Sequence, residues 1–144
     1  MNAAYFLLPK GRAAYLYDDF TFRQGLEKMR RRGYTAIPVI SRSGQYMGTV
    51  SEGDFLWRLV DGDGFRMEVP ARNLEKLRVR DLLRQDRYPA VPITVSMEDL
   101  LSAAMNQNFI PVVDDMGSFV GIVTRRDIIR HFAGDCGEPL PKIV

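Results

Sequence analysis

Two stretches of the sequence carry the same polar pattern, Gly-x-x-Ser/Thr-x-x-Asp. The first contains Gly48, Ser51 and Asp54, and the second contains Gly121, Thr124 and Asp127. An aspartate offers two acceptor oxygens to the vicinal hydroxyls of a ribose, and a neighbouring hydroxyl with free backbone N–H groups favours a phosphate. The pattern therefore indicates a binding site for a ribose phosphate, present twice.

The same spacing also has a purely structural interpretation. A Ser or Thr ahead of an apolar helical run caps the helix, because its hydroxyl accepts a hydrogen bond from an N–H group of the first turn. An acid at the third helical position favours the helix dipole, although a capping box usually has Glu or Gln there. Capping and ligand binding are compatible, since one hydroxyl can serve both, so both interpretations stay open.

The two patterns belong to an internal repeat. Residues 37–54 align without gaps with residues 110–127 at a constant offset of 73, and seven of the 18 positions are identical. Ordinary composition would give about one identity in such a window. Upstream, the same offset places Thr21 on Thr94, but the helical apolar positions of the two copies no longer coincide. The repeat predicts a duplicated structural unit whose upstream register stays open.

Each copy predicts the order helix, strand, strand, helix, because apolar residues recur first at helical spacing and then in short runs separated by turns. The first helices are expected at about 21–32 and 96–106, and the strands at 36–40, 46–50, 109–113 and 119–123. Closing helices start at Ser51 and Thr124, with an expected buried face of Phe55, Leu56, Leu59, Ile128, Ile129 and Phe132. Residues 61–73 are typical of a loop, and helical periodicity returns over 74–83.

The copies differ directly after the capping residue. Arg125 and Arg126 follow Thr124, whereas a glutamate and a glycine follow Ser51. Guanidinium groups bind phosphate through charge-assisted hydrogen bonds, and a glutamate repels it. We therefore expect the Thr124 site to be the better phosphate site; the alternative is that both arginines belong to a solvated surface.

Composition limits the classes of function. At 144 residues the chain is too short for this pair of units plus a separate catalytic domain, and its net charge of +2 is too mild to indicate nucleic acid. The single cysteine, Cys136, fits a reducing compartment. No apolar run approaches the roughly 18 residues of a membrane span, and the apolar start at 3–8 has no basic region before it. We expect a soluble, cytoplasmic protein without a signal peptide.

Residues for chemistry at a metal or a nucleophile are scarce. His131 and Cys136 are the single members of their kinds, which disfavours a zinc site, and the sequence has neither a nucleophile elbow nor a P-loop. The basic residues 30–32 could contact nucleic acid or a partner protein, but the favoured interpretation is a solvated helix end whose charges complement the helix dipole. We expect no metal, no catalytic residue and no cofactor.

The Ile-Pro-Val strand, the glycine turn and the Gly-x-Val-Ser/Thr-x-x-Asp ending, all repeated once, resemble a tandem pair of CBS domains, a Bateman module, over nearly the whole chain. The resemblance implies an α/β (α+β-like) fold of two β-α-β-β-α repeats packed about a pseudo-two-fold axis. The repeats would be residues 1–60 and 79–144, with a linker at 61–78. In that family adenosyl compounds such as AMP, ADP, ATP or S-adenosylmethionine, and sometimes cyclic dinucleotides, occupy two clefts between the repeats, and the modules commonly form homodimers.

By the same resemblance, Asp54 and Asp127 bind the ribose hydroxyls, and Ser51 and Thr124 contact the phosphate or the ribose edge. The resemblance also implies that four residues just ahead of the two Ile-Pro-Val segments border the cleft: Thr35, Ala36, Asn108 and Phe109. The alternative for these four is strand-entry packing or solvent exposure.

The leading hypothesis is a regulatory module, not an enzyme, that senses an adenine nucleotide and thereby changes the affinity of a regulated protein. The alternative is an assembly module with vestigial clefts, in which the Ser/Thr-x-x-Asp pairs serve only as caps. A sensor of a cyclic dinucleotide is a further alternative.

Overall fold

The computed structural model describes residues 2–60, 75–84 and 87–134. The chain forms two compact units, each around an apolar core of its own. The first-copy unit is Ala14–Arg87, and the second-copy unit combines Met1–Ala13 with Tyr88–Val144. The chain begins with helix α1 (Ala3–Phe6) and strand β1 (Leu8–Pro9), which belong to the second-copy unit.

The first-copy unit is a three-stranded sheet with two helices, the predicted β-α-β-β-α order. Its elements are β2 (Leu16–Tyr17), α2 (Phe22–Arg32), β3 (Ala36–Ile40), β4 (Tyr46–Ser51) and α3 (Glu52–Leu59), and a 3₁₀ helix follows at Val79–Leu82. Strand β3 is central, parallel to β2 and antiparallel to β4. Phe22 and Phe55 pack edge to face in the core, with ring centroids 5.0 Å apart, so α2 and α3 cover the same side of the sheet.

The second-copy unit repeats this order with a fourth strand. Its elements are β5 (Val91–Pro92), α4 (Met97–Asn106), β6 (Phe109–Val113), β7 (Phe119–Thr124) and α5 (Arg125–Ala133). The sheet order is β1-β7-β6-β5, so β1 supplies an antiparallel edge strand beside β7. The predicted α/β fold of two β-α-β-β-α repeats is thus confirmed.

The two hairpins share one register. Ala36 pairs with Ser51 in β3–β4, and Phe109 pairs with Thr124 in β6–β7, at the offset of 73 seen in the sequence. Both registers also shift at the equivalent position, Val39/Ile40 and Val112/Val113. The structure therefore confirms the hairpins, which end at the two capping residues.

Upstream of the hairpins the structural offset is 75. Helix α2 is capped by Thr21 and helix α4 by Ser96, each through its side-chain oxygen. The first copy therefore has two more residues between its cap and its hairpin, and buried Gly25 and Met29 correspond to Leu100 and Ala104. Small and large side chains exchange places between the copies, which is why the sequence alignment fails here.

Each unit completes its packing with a segment that precedes the other copy in the sequence. Strand β1 precedes the first copy but pairs with β7, and the Lys10 N–H donates to the Val120 carbonyl oxygen at 2.9 Å. The 3₁₀ helix precedes the second copy, but the Val79 N–H donates to the Phe20 carbonyl oxygen at 2.9 Å. The compact units therefore follow packing rather than sequence order, since β1 lies with the second copy and the 3₁₀ helix lies with the first.

Two expectations differ from the structure. Over the described part of 74–83 a 3₁₀ helix of four residues forms instead of a longer helix, and its Val79 and Arg80 N–H groups donate to the Phe20 and Asp18 carbonyl oxygens. In the closing helices Phe55 and Ile128 are buried as expected, whereas Leu56, Ile129 and Phe132 are exposed. The expected loop at 61–73 and Cys136 lie outside the described residues.

Candidate functional site

The first-copy site lies where β4 ends and α3 begins. The Asp54 N–H donates to Ser51 Oγ at 3.3 Å, and the Ser51 N–H donates to Asp54 Oδ2 at 2.8 Å. This is a complete capping box, so the structural interpretation of the motif is confirmed for this copy. One carboxylate oxygen of Asp54 is thereby committed to the backbone.

The second oxygen of Asp54 is held by two arginines that the sequence analysis did not single out. Arg87 Nη1 donates to Asp54 Oδ1 at 2.8 Å, and Arg84 Nε lies 3.4 Å from the same oxygen. The side chain of Asp54 is 3% exposed, while those of Arg84 and Arg87 are 58% and 38% exposed. No local pattern in the sequence points to this cluster, since Arg87 is 33 residues from Asp54.

A pocket of about 270 Å³ opens beside this carboxylate. Its lining comes from α3, the 3₁₀ helix and the residues after it: Asp54, Trp57, Arg58, Asp81, Leu82, Leu83 and Arg84. Ligand pockets commonly measure about 300–1,000 Å³, so the space suits part of a nucleotide. Trp57, the one tryptophan of the chain, is exposed in this lining, whereas Phe55 on the same helix is buried in the core.

The second-copy site lies at the junction of β7 and α5. It differs from the first-copy site in the hydrogen bonding of its aspartate side chain. The Asp127 N–H donates to Thr124 Oγ1 at 3.1 Å, so Thr124 also caps its helix. Among the residues that the structure describes, the Asp127 carboxylate has no hydrogen bond or ion pair, and the residue is partly exposed. Both of its oxygens are available to a ligand.

Arg125 is anchored to its own unit. Its Nε donates to the Ala104 carbonyl oxygen at 2.6 Å, and its Nη1 donates to Asn108 Oδ1 at 2.9 Å. Its Nη2 has no hydrogen bond within residues 2–60, 75–84 and 87–134. The guanidinium is therefore fixed rather than freely solvated, and Arg126 beside it is partly buried.

The four cleft-border residues lie opposite the caps of their own copies. The Thr35 carbonyl oxygen accepts from the Glu52 N–H, and the Asn108 carbonyl oxygen accepts from the Arg125 N–H, both at 2.9 Å. Ala36 and Phe109 are the cross-strand partners of the two capping residues. The structure thus brings all ten sequence-predicted site residues to the two strand–helix junctions, four in the first copy and six in the second.

The described residues give few other kinds of site. Within 2–60, 75–84 and 87–134 no helix is long and apolar enough to cross a membrane, and no group of three or more His, Cys, Asp or Glu side chains could hold a metal ion. His131 packs edge to face on Phe6 at 5.4 Å, at the end of α5.

Known structures share this fold. CbpB in complex with c-di-AMP matches with a TM-score of 0.82 and 18% identity, over 92% of this chain and 85% of that one. CBSX2 in complex with AMP matches with a TM-score of 0.69 and 24% identity, over 92% of this chain and 96% of that one.

Comparison of sequences finds a relative whose identity to this chain is about as low as that of the two structures. The protein MJ1426 of Methanocaldococcus jannaschii is 25% identical over 139 residues, which cover 80% of this chain and 83% of that protein. The sequence profile of the CBS domain matches residues 9–61 and 79–134, one match for each copy of the repeat. The duplicated motif, the shared fold and these two matches show that the chain belongs to the CBS domain family.

Proposed function

We propose that this CBS pair is a regulatory module that senses an adenine-containing nucleotide by binding it, without chemical change. The observation that carries the proposal is the second-copy junction, where the Asp127 carboxylate has no protein partner among the described residues although Thr124 caps the helix. A capping role alone does not use that carboxylate. An aspartate with two available oxygens suits the vicinal hydroxyls of a ribose.

The charges at this junction support a phosphate beside the ribose. Arg125 is held by two hydrogen bonds that leave Nη2 unused within the described residues, so a phosphate there would meet a donor already fixed in place. The N–H groups of the first turn of α5 add a favourable dipole. Two proteins of the same fold bind c-di-AMP and AMP, which supports an adenine ligand here.

In this proposal Asp127 accepts from the ribose hydroxyls, Thr124 contacts the ribose edge or the phosphate, and Arg125 and Arg126 bind the phosphate. Asn108 and Phe109 border the bound nucleotide in this copy. Thr35, Ala36, Ser51 and Asp54 take the corresponding positions in the first copy. A homodimer, a cytoplasmic location and a regulated partner protein complete the proposed regulatory role.

Thermal unfolding with a nucleotide panel tests the proposal: AMP, ADP, ATP, S-adenosylmethionine, NAD and c-di-AMP. A ligand that binds only the native state adds about 2.7 kcal/mol at 100 times its Kd, which gives a saturable rise in Tm. The variant Asp127→Asn should reduce that rise by removing binding at the second-copy site, and it should change the free energy of unfolding of the free protein by less than about 0.5 kcal/mol. The control Asp54→Asn should instead destabilise the free protein, because Asp54 is bonded on both oxygens.

A second candidate function is an assembly module whose sites are vestigial. The observation that favours it is the capping by both Ser51 and Thr124, together with the internal pairing of Asp54. This function predicts no Tm shift with any nucleotide of the panel at millimolar concentration. A flat panel would therefore contradict the sensor and favour assembly.

A further inference from the structure

We propose that Arg84 and Arg87 form an internal latch that closes the first-copy site, and that a ligand with a vicinal diol must displace them from Asp54 to bind. The inference rests on the proposed nucleotide-sensing function and adds its regulation. It starts from the saturation of the Asp54 carboxylate, whose Oδ2 accepts from the Ser51 N–H and whose Oδ1 accepts from Arg87. A ribose hydroxyl needs one of these oxygens.

Burial decides which partner must move. The side chain of Asp54 is 3% exposed and fixed by the capping box, whereas Arg84 is 58% exposed and Arg87 is 38% exposed. Leaving a buried carboxylate without a partner is strongly unfavourable, so the arginines cannot simply leave in the free protein. A diol that donates two hydrogen bonds replaces them, and the guanidinium heads return to solvent at small cost. The carboxylate is thus the fixed half of the latch and the arginines are the movable half.

The position of Arg87 in the chain gives the latch a consequence. Arg87 is the last residue of the first-copy unit, and Tyr88 is the first residue of the returning second-copy segment. Tyr88 has a positive φ of 58° and stacks on Phe109, with ring centroids 5.0 Å apart. A positive φ in a tyrosine stores strain that its neighbours must hold. Release of Arg87 therefore frees one anchor of a strained connection, so occupancy of Asp54 is reported to the segment that joins the units.

The test compares variants that each remove one positive charge, either from the ion pair with Asp54 or from the lining of the pocket beside it. Arg87→Gln takes away the shorter of the two arginine contacts to Asp54, while the control Arg58→Gln removes a charge from the pocket lining without an ion pair to Asp54 among the described residues. Titration with adenosine excludes any effect of phosphate, and titration with AMP restores it. Trp57 lines this pocket and is the one tryptophan of the chain, so its fluorescence reports on the first-copy site.

The latch predicts that Arg87→Gln binds adenosine at least about tenfold more tightly than the wild type, while Arg58→Gln is unchanged within about twofold. Arg87→Lys keeps the charge but loses the planar fork, and its affinity should fall between the two. Hydrogen exchange at Arg84, Arg87 and Tyr88 should become faster when wild-type protein is saturated with adenosine. Circular dichroism of each variant shows that it is folded before it is titrated.

Two results would overturn the latch alone. One is nucleotide binding that Asp127→Asn abolishes but that Arg87→Gln leaves unchanged, and the other is weaker adenosine binding in Arg87→Gln, which would make the arginine a ligand contact. Failure of the wild type and of Arg87→Gln to bind adenosine, AMP or c-di-AMP by calorimetry would overturn the proposed function and the latch together. The two failures are thereby distinguishable.

Discussion

The glycine at the strand kink of each copy allows a matched test of the exchanged N-terminal segment. Gly121 has φ +155° and Gly48 has φ +148°, so alanine meets a similar backbone strain of about 1–3 kcal/mol at both positions. The surroundings differ. A Cβ on Gly121 would clash with the Leu8 carbonyl oxygen, whereas a Cβ on Gly48 would lie 3.0 Å from Cδ2 of the flexible Leu83 side chain.

Gly121→Ala should therefore destabilise the protein more than Gly48→Ala. Strand β1 must leave β7 to make room, which breaks its ladder and the bond from the Lys10 N–H to the Val120 carbonyl oxygen. At about 1 kcal/mol for each net hydrogen bond, with partial exposure of Phe6, the extra loss is about 2–4 kcal/mol. Urea unfolding followed by circular dichroism measures both variants.

Limited trypsin digestion gives a second readout, because release of β1 should speed cleavage after Lys10 in Gly121→Ala and not in Gly48→Ala. Equal destabilisation of the two variants, with equal cleavage after Lys10, would refute the argument that β1 is packed against this glycine.

Three other predictions concern an exposed ion pair, a buried helix contact and the hydrogen bonds of Arg125. The pKa of the Asp19 carboxyl lies below its ordinary value because Arg42 Nε donates to both its oxygens, at 2.9 and 3.1 Å; its stabilisation is present above about pH 4 and lost as the pH falls through the lowered pKa, so the difference in urea midpoint between wild type and Asp19→Asn should shrink over that range. Gly25→Ala should cost about 1–3 kcal/mol despite a better helix propensity, because the new Cβ would lie 2.7 Å from Val79 Cγ2, and Val79→Ala should rescue it in urea unfolding. Arg125→Met should cost about 2–3 kcal/mol through the bonds to Ala104 and Asn108, and a loss below about 0.5 kcal/mol would show a solvated arginine instead.

The sequence predicted the parts of the fold that local chemistry determines. Both hairpins, the starts of α3 and α5, and the caps Ser51 and Thr124 lie where turn residues, apolar runs and hydroxyls placed them. Each of these features depends on residues within a few positions of one another. Turn and cap preferences act over that same distance, which is why they could be predicted.

The features that the sequence did not predict depend on distant residues. Nothing in the apolar residues 3–8 indicates that β1 pairs with β7, since the pairing joins Leu8 to Ile122. The upstream offset of 75 was hidden because Gly25 and Leu100 fill equivalent places with very different volumes. A core conserves its total volume rather than the size of each member, so identity is a poor guide to register there.

The difference between the two sites also arises outside the repeated motif. Asp54 and Asp127 occupy the same position after the same cap, and both N–H groups donate to the capping hydroxyl. Arg87 joins Asp54 from 33 residues away, whereas Asp127 has no partner in the described part of the chain. A ribose would bind this carboxylate. The two copies share one motif, but before any ligand binds the Asp54 carboxylate is already paired and the Asp127 carboxylate is not, among the described residues. A nucleotide would bind directly at Asp127 but would have to displace an arginine at Asp54. The same nucleotide would therefore fill the second-copy site first and the first-copy site at higher concentration.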